Sequence, residues 1–273
     1  MKTKQINPEN FQGELTSVWS FPERGDWATH NSKYRGNFAP QVARNLIEKY
    51  TNEGDNVLDP MVGSGTTLIE AKLLNRNALG VDINPNAIEL STIALEFDYK
   101  SKAKQKAKLA DARNLDFCKN ESVDLVIFHP PYLNIVEYSK GTIEGDLSNI
   151  GNIEKFCFEI DKVAKELYRV LVPGKYCALL IGDTRKAQHY IPLSYYVFNT
   201  FLENNFILKE EVIKAQHNCT FSRKWANSAQ KYGFYLIMHE HLFIFRKPKN
   251  GESLTKFKWS MKQKPKNKKS ISQ

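Results

Sequence analysis

The alternation of hydrophobic and polar residues from about residue 40 onward predicts an α/β fold. Amphipathic segments with the period of a helix alternate with short apolar runs typical of buried strands. Predicted helices span residues 40–50, 66–74, 85–97, 153–170 and 194–203. Predicted strands span residues 56–59, 78–82, 108–111, 123–128, 176–181 and 207–213, with a seventh inside 235–245. About seven strands, ending in a hairpin-like pair, indicate one doubly wound domain with a mostly parallel sheet.

The overall composition is that of an ordinary globular protein, with 41% hydrophobic and 25% charged residues. There is no run of about 18 apolar residues, and the polar N-terminus lacks the apolar stretch of a signal peptide. The four cysteines are far apart and form no C-x-x-C pair, which disfavours disulfides and structural zinc. We therefore expect a cytoplasmic protein without a membrane segment.

The formal net charge of +9 is concentrated at the C-terminus. Residues 247–273 carry nine lysines and one acidic residue, so residues 1–246 are nearly neutral. We interpret this end as a basic, disordered tail that either binds phosphates or only aids solubility. A second lysine-rich run, residues 100–108, is interpreted as a solvated connection before a strand. The chain is thus divided into a lead-in segment 1–33, a domain 34–246 and the tail.

A glycine-rich turn joins the first predicted strand to the helix that follows it. Gly63 and Gly65 let a ligand approach the backbone, and the helix beginning at Thr66 offers free N–H groups. The segment lacks the G-K-[ST] ending of a P-loop. Leu68 stands where a dinucleotide fingerprint has its third glycine. The alternative is a glycine turn that binds no ligand.

Two acidic residues accompany this turn. Asp59 lies on the turn itself, where a carboxylate repels phosphates but suits a positively charged ligand. Asp82 ends the next predicted strand, where an acidic side chain can accept hydrogen bonds from ribose hydroxyls. A nucleoside that has no phosphates and carries a sulfonium cation fits both features. The combination therefore predicts a site for S-adenosylmethionine (AdoMet).

A rigid loop follows the fourth predicted strand. It consists of His129, Pro130, Pro131 and Tyr132. Neither proline has an N–H, so the carbonyls of His129 and Pro130 can face outward as acceptors. An aromatic ring beside such acceptors can stack a flat ring and orient its amino group. The alternative is a proline-stiffened turn with a packed tyrosine.

Residues 58–67 and 129–132 resemble the cofactor and catalytic motifs of DNA methyltransferases that modify amino groups. This resemblance implies AdoMet as the methyl donor, a seven-stranded Rossmann-like sheet with a terminal antiparallel strand, and N6-methyladenine or N4-methylcytosine as product. It covers roughly residues 20–246, with the cofactor motif before the catalytic motif. Residues 34–40 resemble the family's segment that packs over the methionine end of AdoMet. The cofactor-binding residues implied are Tyr34, Arg35, Phe38, Asp59, Pro60, Gly63, Gly65, Thr66, Asp82, Ile83, Asp111 and Ala112.

His129 departs from the family pattern, in which the first residue of the catalytic loop is usually Asp, Asn or Ser. The modified base is therefore left open, as is a non-catalytic role. In the mechanism that the resemblance implies, an extruded base stacks on Tyr132 while Pro130 and a neutral His129 accept its amino hydrogens. Activity is then expected to fall as the pH drops through the His129 titration, nominally about 6.5. No metal is predicted, because His239 and His241 lack an evident third ligand.

The nucleic-acid contacts are expected on loops at residues 133–152, 183–192 and 216–232. The candidate residues are Arg185, His217, Asn218, Arg223, Lys224 and Trp225. With such short loops, the chain would recognise a short site, act as a dimer or use a partner.

We expect DNA as the substrate and keep a restriction endonuclease as a candidate partner. Two other substrates stay open, namely a tRNA guanine N2 amine and a protein glutamine. A non-catalytic module that binds AdoMet and nucleic acid is the remaining alternative. The sequence alone does not determine the target sequence or the oligomeric state.

Overall fold

The computed structural model describes residues 5–217 and 222–262, with side chains described for all of these except residues 222–224. Helices α1 to α6 span Pro40–Tyr50, Thr66–Leu73, Pro85–Ile93, Ile153–Val170, Leu193–Glu203 and Ser222–Tyr232. Strands β1 to β10 span Val18–Ser20, Asn56–Asp59, Asn77–Asp82, Gln105–Leu109, Val123–Phe128, Leu171–Ile181, Thr184–Lys186, His189–Ile191, Ile207–Ala215 and His239–Arg246. Two short 3₁₀ helices cover Leu147–Asn149 and Leu254–Ser260.

Eight strands form the main sheet in the order β4-β3-β2-β5-β6-β10-β9-β1. Strand β10 is antiparallel to both β6 and β9, and the other neighbouring pairs are parallel. Strand order reverses between β2 and β5, the place where doubly wound sheets open a crevice. This architecture confirms the predicted α/β Rossmann-like fold with its antiparallel strand near the C-terminus.

Helices cover both faces of the sheet, and a hydrophobic core lies under each layer. Helix α4 buries Phe156, Ile160, Val163 and Leu167 on one face, and its N-terminus is capped by Asn152, whose side chain accepts the Lys155 N–H. Helices α1 and α2 bury their apolar sides on the opposite face. The two cores hold the strands between them and leave the strand ends free to form a site.

Strand β1 is the eighth strand of the sheet, one more than the seven that the sequence predicted. It has only three residues, too few for a periodic pattern to reveal it. Its backbone pairs with β9, and Trp19 packs into the core at 4% exposure. Part of the lead-in segment is therefore integrated into the domain's sheet.

Three other segments differ from the sequence-based expectation. The lysine-rich run 100–108 is partly strand, because residues from Gln105 onward form the edge strand β4. The expected loop 183–192 contains the hairpin of β7 and β8, and the expected loop 216–232 contains helix α6. Of these segments, only β4 joins the main sheet, whereas β7 and β8 pair with each other in a separate hairpin.

The first part of the expected basic tail is packed against the domain. Lys247 is buried, and its ammonium donates to the Leu171 carbonyl at 2.8 Å. Arg246 pairs with Glu252 at 2.9 Å, and its guanidinium lies over the Phe257 ring. Only residues 263–273 of the segment lie outside the described part of the chain. None of the described helices is long and apolar enough to cross a bilayer.

A fully buried carboxylate fastens the segment around residues 27–30 to helix α2. Glu70 accepts hydrogen bonds from Trp27 Nε1 at 2.6 Å and from Arg44 Nε at 3.2 Å, and it contacts His30 Nε2 at 2.7 Å. Burial of a carboxylate is tolerated because charged and polar donors surround it. Glu70 thus connects the lead-in to the helix that begins at the glycine turn.

We expect Glu70→Ala to lower the free energy of unfolding by about 3 kcal/mol, because it leaves the buried Arg44 without its carboxylate. Urea unfolding followed by circular dichroism measures this change. Glu89→Ala, at an exposed position of α3, is the control and should change stability by less than about 0.5 kcal/mol. Equal effects of the two substitutions would show that the Glu70 cluster does not hold the lead-in.

Candidate active site

The carboxyl ends of β2, β3, β5 and β6 open onto one cavity of about 1200 Å³. Both Gly63 and Tyr132 line it, so the glycine turn and the proline loop share one cleft as the topology predicts. The predicted site residues on the cavity wall are Tyr34, Arg35, Phe38, Pro60, Gly63, Thr66, Asp82, Ile83, Asp111, Ala112, His129, Pro130, Pro131, Tyr132, Arg185, His217 and Trp225.

Asp82 holds the glycine turn through its carboxylate. One oxygen accepts the Gly63 N–H at 3.1 Å, and the other accepts the Asn84 N–H at 2.9 Å. Gly63 has a φ of +50°, and a Cβ there would lie 3.1 Å from the Tyr34 ring. Burial raises the pKa of Asp82. The Ile83 N–H also donates to this carboxylate, which has about four acceptor sites, so one site stays available to a ligand hydroxyl.

Asp59 and Gly65 lie off the cavity wall, in contrast to the direct ligand contact expected for them. The Asp59 carboxylate is buried and accepts the Met61 N–H at 3.1 Å and the Thr67 hydroxyl at 2.5 Å. Burial raises the pKa of Asp59 to about 7. Gly65 has a φ of +88°, and a Cβ there would lie 3.1 Å from Ser91 Cα. Both residues therefore shape the turn from behind.

Two tyrosines form an aromatic wall beside the glycine turn. The rings of Tyr34 and Tyr138 stack with centroids 6.0 Å apart and planes 10° apart. Gly36 makes room for this pair, since a Cβ there would lie 1.9 Å from the Tyr138 hydroxyl. Tyr138 was not predicted as a site residue. Tyr138 lies a few residues after the catalytic loop and belongs to no recognisable motif. Its contact with Tyr34 is visible only in the folded structure.

Asp111 sits on the cavity wall with its charge held by Arg113. The Arg113 Nε donates to both Asp111 oxygens at 2.9 and 3.0 Å, while Nη1 pairs with Glu159. Burial alone would raise the pKa of Asp111, but the Arg113 bonds keep it below its usual value. The carboxylate is therefore anionic and fixed in orientation, as a hydrogen-bond acceptor for a ligand must be.

A chain of hydrogen bonds joins the proline loop after β5 to strands β10 and β9. His129 Nε2 lies 2.8 Å from the Tyr132 hydroxyl, which donates to Glu240 Oε1 at 2.6 Å. Lys214 Nζ donates to Glu240 Oε2 at 2.7 Å. The Tyr132 ring also packs on Gly182, where a Cβ would lie 2.6 Å from the ring. The sequence analysis did not predict Glu240 or Lys214 as site residues, because they lie on β10 and β9, far from the proline loop in sequence.

His129 is neutral in this environment. Burial lowers its pKa to about 4, an effect that Lys214 reinforces and Glu240 opposes. The Phe38 ring packs edge-on against the imidazole, with centroids 5.5 Å apart. The expectation that His129 titrates near pH 6.5 is therefore wrong, because the ring lies in a partly apolar pocket.

The rim of the cavity carries aromatic and cationic side chains. Arg185 donates to the carbonyls of Gln188 and Tyr235 at 2.8 and 2.9 Å, so it braces the rim as well as lining the cavity. Trp225 and Tyr235 are 52% and 91% exposed. His217 Nε2 lies 3.0 Å from the Ser20 hydroxyl.

Three of the predicted nucleic-acid contacts cannot be placed. Asn218 lies outside the described residues, and only the backbone of Arg223 and Lys224 is described.

A third candidate metal donor, which the sequence did not reveal, lies beside His239 and His241. Donor atoms of Asp183 and the two histidines lie within 4.8 Å of one another. Asp183 is already engaged, since its oxygens accept the Ser194 N–H at 2.7 Å and the Ser194 hydroxyl at 3.1 Å. His241 Nδ1 lies 2.8 Å from Glu211 Oε1. Asp183 thus binds the first turn of helix α5 and pairs with His241 Nε2 at 3.2 Å.

We expect the His129 ring resonances in NMR spectra to show no inflection between pH 5 and 8, because the pKa lies near 4. His241 is the internal control. Burial opposes its protonation, but Asp183 and Glu211 raise its pKa, so it should titrate above the ordinary value of about 6.5. A His129 inflection near pH 6.5 would contradict the buried environment.

Comparison with protein-family models matches residues 1–93 and 123–273 to the N6/N4 methyltransferase family, described as DNA methylase. The type II methyltransferase M.MjaII of Methanocaldococcus jannaschii is 31% identical over 151 residues, which are 50% of this chain and 28% of that protein. The type II methyltransferase M.BsoBI of Geobacillus stearothermophilus is 38% identical over 90 residues, 32% of this chain and 16% of that protein.

An RNA-modifying relative matches at a similar level. The tRNA (guanine(10)-N2)-dimethyltransferase of Methanocaldococcus jannaschii is 34% identical over 161 residues, 52% of this chain and 45% of that protein. The matches to these relatives thus span less than half of their lengths.

Solved structures show the same fold. TrmN from Thermus thermophilus aligns with a TM-score of 0.51 at 19% identity, covering 78% of this chain and 50% of that one. A SAM-dependent methyltransferase from Methanosarcina mazei aligns with a TM-score of 0.50 at 18% identity, covering 75% of this chain and 97% of that one. The chain belongs to the N6/N4 DNA methylase family and has a Rossmann-like methyltransferase fold.

Proposed function

We propose that the protein is a site-specific DNA methyltransferase that transfers a methyl group to the exocyclic amine of adenine (N6) or cytosine (N4). The observation that carries this proposal is the single cavity lined by both the glycine turn and the His129–Tyr132 loop. The family match supports DNA as the substrate.

The residues on the cofactor side of the cavity fit AdoMet. The turn at residues 57–67 contains no lysine or arginine, so it has no charge to neutralise a phosphate. Asp82 lines the cavity at the end of β3, and its carboxylate keeps an acceptor site for a ribose hydroxyl beyond its three backbone bonds. Bound AdoMet would supply a methyl group activated by a sulfonium, a cation that suits the carboxylates of Asp82 and Asp146 on the cavity wall.

The residues on the other side suit a base with an amino group. The Pro130 carbonyl and the neutral His129 ring are acceptors, which the two hydrogens of an exocyclic amine can satisfy. The Tyr132 ring provides a stacking face whose position is fixed by Glu240 and Gly182. Such positioning directs the nitrogen lone pair toward the methyl group and supplies most of the rate enhancement.

The nucleic acid would approach over the rim. Helix α6 with Trp225, and the segment with Tyr235, place exposed aromatic rings beside the cavity mouth. These rings and Arg185 are candidates for backbone and base contacts. We propose cytoplasmic DNA as the target and a restriction endonuclease as a candidate partner.

A tRNA guanine N2 amine is the second candidate substrate. It is favoured by the 34% identity to a tRNA (guanine(10)-N2)-dimethyltransferase, and guanine N2 is also an exocyclic amine. A non-catalytic module that binds AdoMet is the remaining alternative.

The full chain is tested with labelled AdoMet on unmodified duplex DNA and on unmodified tRNA, followed by digestion and mass spectrometry of the nucleosides. We expect label on an adenine or cytosine amine of DNA. Label on tRNA alone would support the second candidate. Absence of label on both, with AdoMet bound, would support the non-catalytic module.

We expect Tyr132→Ala to reduce methyl transfer about 10- to 100-fold, because base–aromatic stacking contributes roughly 1–3 kcal/mol. Its AdoMet affinity, measured by calorimetry, should stay near that of the wild type. Tyr196→Ala, at an exposed site on α5 away from the cavity wall, is the matched control. Turnover of the Tyr132 variant equal to that of the control would remove the stacking role.

Deleting residues 263–273 removes four lysines without cutting the packed segment that ends at Lys262. We expect the slope of log K against log salt for DNA binding to become shallower by up to about 4, since each phosphate contact contributes about 0.9. Fluorescence anisotropy at several salt concentrations measures the slope. An unchanged slope would mean that these lysines only aid solubility.

A further inference from the structure

The hydrogen-bond chain from Lys214 to His129 has a direction that its chemistry dictates. Glu240 is a carboxylate and has no proton to donate. Burial raises its pKa, but Lys214 and other neighbours outweigh burial and keep the pKa below its usual value. It therefore accepts from Lys214 Nζ at 2.7 Å and from the Tyr132 hydroxyl at 2.6 Å. The single hydroxyl proton of Tyr132 is thus committed to Glu240.

This commitment determines which nitrogen of His129 carries the proton. The Tyr132 oxygen can only accept from His129, since its own proton already points to Glu240. His129 Nε2, 2.8 Å from that oxygen, must therefore be the protonated nitrogen. In a neutral ring the other nitrogen, Nδ1, is then an acceptor. Nδ1 has no hydrogen-bond partner among the residues that the structure describes, and His129 lines the cavity.

We propose that Glu240, paired with Lys214, is a positioning residue that holds His129 as the Nε2–H tautomer, so that Nδ1 accepts a hydrogen from the target amine. This inference rests on the proposed function of the same site. It explains how a histidine can occupy a position where the family usually has Asp, Asn or Ser. The imidazole is made an acceptor by the residues beneath it.

The tautomer also selects the chemical class of the base. A nitrogen lone pair beside the Pro130 carbonyl presents two acceptors, which match the two hydrogens of an amine. The opposite tautomer would point an N–H at the amine, so that two donors would face each other. A base with a carbonyl at that position, such as thymine or uracil, would face two acceptors and be rejected.

Glu240→Gln keeps the shape of the side chain but reverses the direction of the hydrogen bonds between Glu240 and His129. Lys214 can only donate, so it binds the amide oxygen of the new side chain. The amide NH₂ then faces Tyr132 and donates to its oxygen, which frees the Tyr132 proton to point at His129 Nε2. His129 is thereby forced into the Nδ1–H tautomer, with a donor toward the amine.

The tautomer is read directly from ¹⁵N spectra of the full chain with labelled histidine, at pH 7 and without nucleic acid. We expect a protonated Nε2 and an unprotonated Nδ1 in the wild type, and the reverse in Glu240→Gln. The matched control is Glu211→Gln on strand β9, which removes the carboxylate that contacts His241. It should leave the His129 tautomer unchanged. An Nδ1–H tautomer in the wild type, or no change in Glu240→Gln, would overturn the proposal.

Kinetics separate positioning from general damage. We expect Glu240→Gln to lower kcat by about 10²-fold or more, as a wrong histidine tautomer does elsewhere, with the AdoMet KM nearly unchanged. In a Tyr132→Phe background the hydrogen-bond chain is already broken. Adding Glu240→Gln should then lower kcat much less than it does in the wild type. Fully additive losses would mean that Glu240 does not act through Tyr132.

Tyr132→Phe keeps the proposal testable if Glu240→Gln fails to fold. It keeps the ring but removes the hydroxyl, so His129 should lose its single tautomer and show averaged ¹⁵N shifts. A single Nε2–H tautomer in this variant would contradict the role of the chain. The tautomer readout needs no substrate. If the tautomers behave as expected but no nucleic acid is methylated, the proposed function fails alone; if methylation proceeds with the opposite tautomer, only this inference fails.

Discussion

Parallel pairing of β2, β3 and β5 is the constraint on which the site depends. Parallel neighbours present their carboxyl ends at the same edge of the sheet, so loops distant in sequence meet there. Val57 lies opposite Leu125, and Asp59 lies opposite Gly80. A shift of one residue in either register would turn these strands over and bury the wrong side chains. The glycine turn and the proline loop can therefore face each other only while this pairing holds.

Buried charges support the site from behind the cavity wall. Glu70 joins the lead-in to α2, and Glu240 joins the proline loop to β9 and β10. Replacing such groups by apolar residues often stabilises a protein, so their presence favours a role in orientation rather than in net stability. Each carboxylate has several donors, which fixes the side chains around it in one arrangement.

Local sequence patterns predicted much of the fold and of the site, and the failures have a common cause. Helix α4 and strand β5 were predicted with their observed bounds, because their hydrophobic periods are strong. Most residues predicted around the glycine turn line the cavity, but Gly65 lies behind it and Asp59 points into the turn. The orientation of the Asp59 carboxylate depends on its hydrogen bonds with Thr67 and Met61, which the hydrophobic pattern of a strand does not predict. Glu240 is 108 residues from Tyr132, so their pairing is visible only in the folded chain.

The lysine-rich edge strand β4 has a consequence for the behaviour of the protein at high concentration. Among the described strands, β4 pairs with β3 alone, so its outer side offers unpaired backbone groups to another chain. Lys106 and Lys108 alternate along it and would meet like charges in any edge-to-edge addition of a second copy. The opposite edge, β1, has only three residues. The lysine-rich run, interpreted from the sequence as a solvated connection, thus also disfavours pairing of this edge with another chain.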